Sequence, residues 1–189
     1  MTCGPTSITV GFSTTNKLVS RIIRWVTRSP VSHAFVIFDT PSFGRVVMQA
    51  EAWAYEVRPW HLWQQQNTLV AEFEPTGPDL APAIIDLAPK YLGRDYDWKA
   101  ALLAGLWRWF GRWLRGRFNN PYRLMCSEAT IRILQHAGYS SVGHFDAEVT
   151  SPKRLLDRVF EMALRYSNEF RLKFALPAVR QRYEKLLSG

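Results

Sequence analysis

The stretch Pro121-Tyr122-Arg123-Leu124-Met125-Cys126-Ser127-Glu128-Ala129-Thr130 decides how the remainder of the chain is understood. Asn119-Asn120-Pro121 interrupts regular structure, and good helix formers follow from Met125 to Ala137, apolar at Ile131, Leu134 and Ala137. Gly138 stands where a helix stops. Cys126 therefore falls in the first turn of a predicted helix, where unpaired backbone N–H groups and the helix dipole favour a thiolate. Such a cysteine becomes a nucleophile when an imidazole base and an orienting group stand beside it. The alternative is a small buried hydrophobe.

Both partners are found upstream. Val31 to Phe38 reads as a strand with His33 near its start, and Arg45 to Ala52 reads as the next, carrying Glu51 near its end. Paired as a hairpin, they bring Glu51 close to the His33 end. A carboxylate there accepts from the imidazole N–H and stabilises the imidazolium. A one-residue slip of register would turn Glu51 to the other face. His33 also fits a half-buried strand histidine, and Glu51 a partner for Arg58. His136 sits nearly three turns beyond Cys126 in the same helix, too far to act as its base. His61 and His144 are further imidazoles.

Working outward, Ile8 to Phe12 is a predicted strand. A helix from Lys17 to Thr27 follows, with Leu18, Ile22, Ile23 and Val26 on one face and Arg21, Arg24 and Arg28 on the other. Tyr55 to Arg58 and Thr68 to Glu74 are further strands. Helices are expected from Asp79 to Tyr91, Asp97 to Arg115, and Ser151-Pro152 to about Phe174, the last from an N-cap with proline at the first helical position. Pro177 precedes a short final helix. Strands followed by helices give an α+β fold, a small antiparallel sheet packed against helices. The length of 189 residues fits one domain spanning 1–189, with 157–189 as a C-terminal helical extension.

His33 in Ser-His-Ala-Phe-Val-Ile, Glu51 after an apolar strand, and Cys126 in Cys-Ser-Glu-Ala together resemble the circularly permuted NlpC/P60 cysteine hydrolases of the papain-like superfamily. In that branch the histidine precedes the cysteine, as here. Tyr96-Asp97 before the tryptophan-rich helix and Thr150-Ser151-Pro152 after the cysteine helix also fit. The N-terminal part is similar to small phage and bacterial members. The resemblance covers roughly residues 8 to 156 and implies a Cys126–His33–Glu51 site in a permuted papain-like fold. It implies a thiol hydrolase that cleaves an amide in peptidoglycan stem peptides, as in a phage tail-associated cell-wall peptidase. Cys126 would attack the carbonyl, with His33 first protonating the leaving group and then activating water. The Cys126 N–H would hold the oxyanion, with Tyr96 or Tyr122 as a second donor. Ser127 is an accessory residue that caps or buttresses the helix. Relatives of the same fold act on lipids as acyltransferases or thioesterases, and a non-catalytic virion module is a third reading.

The net charge of +8 calls for an anionic partner or surface. Leu106-Trp107-Arg108-Trp109-Phe110-Gly111-Arg112-Trp113 is basic and aromatic. Trp109 and Trp113 share one helical face, so Trp107 and Phe110, flanked by Arg108 and Arg112, are left for surface or membrane contact. Sequence-specific nucleic-acid recognition is not expected, and neither are cofactors. No metal motif occurs: there is no His-Glu-x-x-His, no close cysteine pair (Cys3 and Cys126 only) and no carboxylate cluster. No signal-like segment and no apolar run of the ~18 residues of a membrane span is found. The expectation is synthesis in the cytoplasm, with a virion tail and the periplasmic cell wall as places of action.

Overall fold

The computed structural model describes residues 7–51, 54–92, 95–96, 123–124, 126–166 and 168–188, of which 19, 51, 54, 95–96, 123–124 and 126 are described by backbone alone. The fold is α+β. A six-stranded antiparallel sheet runs in the order β4-β3-β2-β1-β5-β8. Its strands are β1 (Ser7–Thr14), β2 (His33–Thr40), β3 (Gly44–Glu51), β4 (Ala54–Pro59), β5 (Thr68–Pro75) and β8 (Phe170–Ala175). β6 (Asp95–Tyr96) and β7 (Arg123–Leu124) form a short parallel pair beside it. The helices are α1 (Leu18–Thr27), α2 (Trp60–Trp63), α3 (Ala81–Tyr91), α4 (Cys126–His136), α5 (Ser140–Gly143), α6 (Pro152–Glu161) and α7 (Pro177–Leu187).

The sheet is covered on both faces, which is why β2 reads as an apolar run rather than a clean alternation. On one face Val10, Phe12, Ala34, Val36, Met48 and Ala50 join Ile131 and Leu134 of α4 and Leu155 and Val159 of α6 in the main core. On the other, Phe35, Ile37 and Val47 pack with Trp63 of α2. Gly11 of β1 sits across from Phe35 on this second face. A Cβ at Gly11 would lie 2.3 Å from the Phe35 ring, so the ring occupies the space a side chain would need.

Two expectations are corrected by packing. Leu18 is 69% exposed and Ile22 only half-buried, whereas Ser20 and Ile23 face inward, so α1 is rotated from the apolar face read in its sequence. The helix expected to reach Phe174 ends in a π-helical turn at Met162–Tyr166, and Phe170–Ala175 pairs with β5 instead. Phe170-Arg171-Leu172-Lys173-Phe174 alternates with period two, and the edge of β5 offers it a ladder. Residues 157–189 are thus not a purely helical extension. Phe170, Val179 and Tyr183 belong to the main core, and Tyr183 stacks on Phe160 at 4.0 Å.

Glu169 ties this C-terminal part to the region after α4. Its carboxylate accepts from the backbone N–H groups of Ser140 and Ser141 and from the Ser140 hydroxyl. Burial alone would push its pKa up, but the hydrogen bonds from Ser140 and Ser141 outweigh it and hold the value below the ordinary one. A depressed folded pKa contributes stability that is present above the unfolded value and lost as pH falls through the folded one. Wild type should therefore melt higher than Glu169→Gln at neutral pH, with the gap closing as pH drops below 4.5. A pH-independent gap would contradict this account. Separately, Gly11→Ala should cost about 1–3 kcal/mol in denaturant unfolding, because Phe35 must be displaced from a packed site.

Candidate functional site

The geometry that matters begins at His33, the first residue of β2. Its ring stacks on Phe35 with centroids 5.6 Å apart, and its Nε2 lies 3.1 Å from Gln49 Oε1. Gln49 is fully buried, and its Oε1 also accepts from the Trp63 indole N–H at 2.9 Å. An indole nitrogen can only donate, so the Gln49 atom facing it is the carbonyl oxygen. The amide nitrogen in turn points toward Glu56 Oε1 at 3.4 Å. Since a carbonyl oxygen cannot donate, His33 must carry its proton on Nε2. In the neutral ring that leaves Nδ1 as the basic nitrogen.

The support extends further along the same face. Trp60 stacks on Trp63 at 4.7 Å, the Arg45 guanidinium lies 4.3 Å over the Trp60 ring, and Arg45 pairs with buried Glu72 at 2.5 Å. Thr9 donates to the other Glu72 oxygen at 2.9 Å. The imidazole is therefore held by a packed, hydrogen-bonded array anchored in the middle of the sheet.

The start of α4 is reached from His33 through the backbone. The β2–β3 register runs from Thr40↔Gly44 to Val36↔Met48. Glu51 pairs with Ala54, Tyr55 bridges Leu92 in parallel, and β6 pairs with β7 through Asp95↔Arg123 and Tyr96↔Leu124. Cys126 opens α4 just beyond. The body of α4 packs on the Ala34–Val36 face, whereas His33 lies on the Phe35 face with Gln49.

The helix start is fixed from below. The buried Ser127 hydroxyl donates to the Thr150 carbonyl at 2.6 Å, joining α4 to the segment that enters α6. Glu128 accepts from Arg132, which also reaches Glu148. Burial works against the Arg132 charge, but Glu128, Tyr91 and Glu148 raise its pKa overall. Tyr55, where β4 meets Leu92, is pushed well above the usual phenol range by burial and by Tyr91, so it stays a neutral hydroxyl. On the other side, the Ser20 and Ser32 hydroxyls lie 2.7 Å apart, and the Thr15 N–H donates to Ser20 Oγ, tying α1 to the residue before His33.

Of the residues singled out in the sequence, His33 and Ser127 are described with their side chains. Glu51, Tyr96 and Cys126 are described by backbone alone, and Tyr122, Trp107, Arg108, Phe110 and Arg112 lie outside the described residues, as does the whole helix expected from Asp97 to Arg115. His136 pairs with Asp86 at the far end of α4, His144 packs edge-on against Phe145, and His61 is exposed on α2. Gln49 and Trp63 were missed. Nothing local marks them, although Gln49 is the one polar residue in an otherwise apolar Val46-Val47-Met48-Gln49-Ala50 run, which was a usable signal. No group of three His, Cys, Asp or Glu side chains suited to a metal ion occurs among the described residues, nor does a helix long and apolar enough to cross a membrane.

No family model and no curated protein matches the chain. Among solved structures, it is similar to the crystal structure of the metalloprotein yiiX from Escherichia coli O157:H7, a DUF1105 protein. The match has a TM-score of 0.51 at 16% identity and covers 94% of this chain and 92% of that one. The likeness is one of fold.

The assignment of Gln49 as the imidazole's anchor has a direct test. In Gln49→Leu, nitrogen NMR of His33 should lose its preference for the Nε2–H tautomer. Stability should fall by about 1–3 kcal/mol, since the Trp63 N–H is left buried without this acceptor. An unchanged tautomer would mean that another group orients the ring.

Proposed function

We propose that the protein is a thiol hydrolase of the permuted papain-like kind, with Cys126 as nucleophile and His33 as base. The observations that carry this reading are the His33 ring at the start of β2, held by Gln49 with Trp63 behind it so that Nδ1 is the basic nitrogen, and the start of a helix at Cys126. The Nε2–H···Oε1 bond leaves Nδ1 as the nitrogen that takes a proton from the thiol. The thiolate, at the start of α4, gains from the helix dipole. Attack on an acyl carbonyl gives a tetrahedral oxyanion beside the N–H groups that open the helix. Collapse expels the leaving group with the His33 proton and leaves a thioester, which water cleaves with the imidazole again acting as base.

Gln49 orients the ring in this reading, and Glu51, the orienting residue expected from the sequence, is described by backbone alone. The substrate class follows from the sequence resemblance: an amide in peptidoglycan stem peptides, cleaved by an enzyme of the phage-tail or bacterial cell-wall type. The test is the rate of iodoacetamide labelling of Cys126 against pH, followed by release of stem peptides from purified sacculi. Labelling below neutral pH should be fast in wild type and fall on the order of a hundredfold in His33→Ala. A Cys126 that reacts only after denaturation would end the enzyme reading. Fast labelling without release from sacculi would retain the thiolate and remove the peptidoglycan substrate.

A further inference from the structure

We infer that the outer face of α1 is a docking surface for an anionic phospholipid membrane. Leu18 and Trp25, seven residues apart and therefore on one side of the helix, are 69% and 77% exposed. Ile22 extends the apolar strip and is only half-buried, while Arg21 and Arg28 are exposed along its edge and Arg24 is half-buried beside them. None of these three arginines enters an ion pair among the described residues. The chain contains no Asp or Glu before Asp39, so nothing on this segment offsets their charge.

The inward side of the helix is occupied by Ser20 and Ile23, which explains why the outer apolar residues cannot turn in without unseating the Ser20–Ser32 contact. A short helix with an exposed tryptophan and leucine, bordered by cations, matches the interfacial layer of a bilayer: the ring and aliphatic chain enter the headgroup boundary and the guanidinium groups meet phosphates. Nucleic acid would use the arginines but has no place for Leu18 and Ile22. A second copy of the chain would need an acidic, apolar counterpart, which α1 itself cannot supply. The location adds to the argument, since the start of α1 is tied by Ser20 to Ser32, next to His33. The proposal goes beyond the thiol-hydrolase reading and does not require it.

The experiment is flotation of the whole chain with phosphatidylcholine vesicles, either pure or enriched in phosphatidylglycerol. The protein should float with the anionic vesicles, stay behind with the neutral ones, and be released by salt. Trp25→Ala should weaken binding about tenfold and Arg21→Gln or Arg28→Gln about fivefold each, with melting temperatures unchanged because these side chains are exposed. Cys126→Ala should float like wild type, which separates this surface from the chemistry. Wild-type flotation by both Trp25→Ala and Arg21→Gln would overturn the proposal. So would a Trp25-dependent dimer without vesicle binding, or polyanion binding that Arg21→Gln abolishes and Trp25→Ala leaves intact.

Discussion

The hydrogen bond from the Trp63 indole to the Gln49 side-chain oxygen governs how the polar groups at this end of the sheet are oriented. It determines which way the buried amide points, and through that which nitrogen of His33 bears a proton. A buried polar group must find partners, and an amide wedged between an indole N–H and a ring N–H has one orientation that satisfies them all. α2, a single turn of helix, exists in the fold to deliver Trp63 to that place, with Trp60 and Arg45 stacked behind it.

The two faces of the sheet divide the labour. The larger core, with α4 and α6, fixes the helix whose first residue is Cys126. The smaller cluster of Phe35, Ile37, Val47 and Trp63 fixes the imidazole. The proposed thiol chemistry would require that the two faces meet around the sheet end. The short β6–β7 pair bridges toward it, because it connects the β4 edge to the start of α4. Gly11 belongs to the same economy of space: its missing side chain lets Phe35 lie flat enough to stack under His33.

The likeness to the metalloprotein yiiX extends over 94% of the chain. That agrees with the packing of Phe170, Val179 and Tyr183 into the main core rather than onto its outside. A sixth strand added at the β5 edge covers what would otherwise be an open row of backbone donors and acceptors.

The sequence by itself determined the strands β1 to β5, the helices α1, α3 and α4 and the placing of Cys126 at a helix start, because periodicity, proline and glycine punctuation and helix-forming composition are local signals. It also carried the order of His33 before Cys126, from which the resemblance was drawn. Tertiary structure alone decided the rotation of α1, where Ser20 faces inward because Ser32 offers it a partner and Leu18 is left outside. It decided that Phe170–Ala175 is a strand, since only the neighbouring edge of β5 tips an alternating segment away from helix. And it decided that Gln49 anchors His33: a glutamine in an apolar run has no meaning until the strand register and an indole from another element close around it.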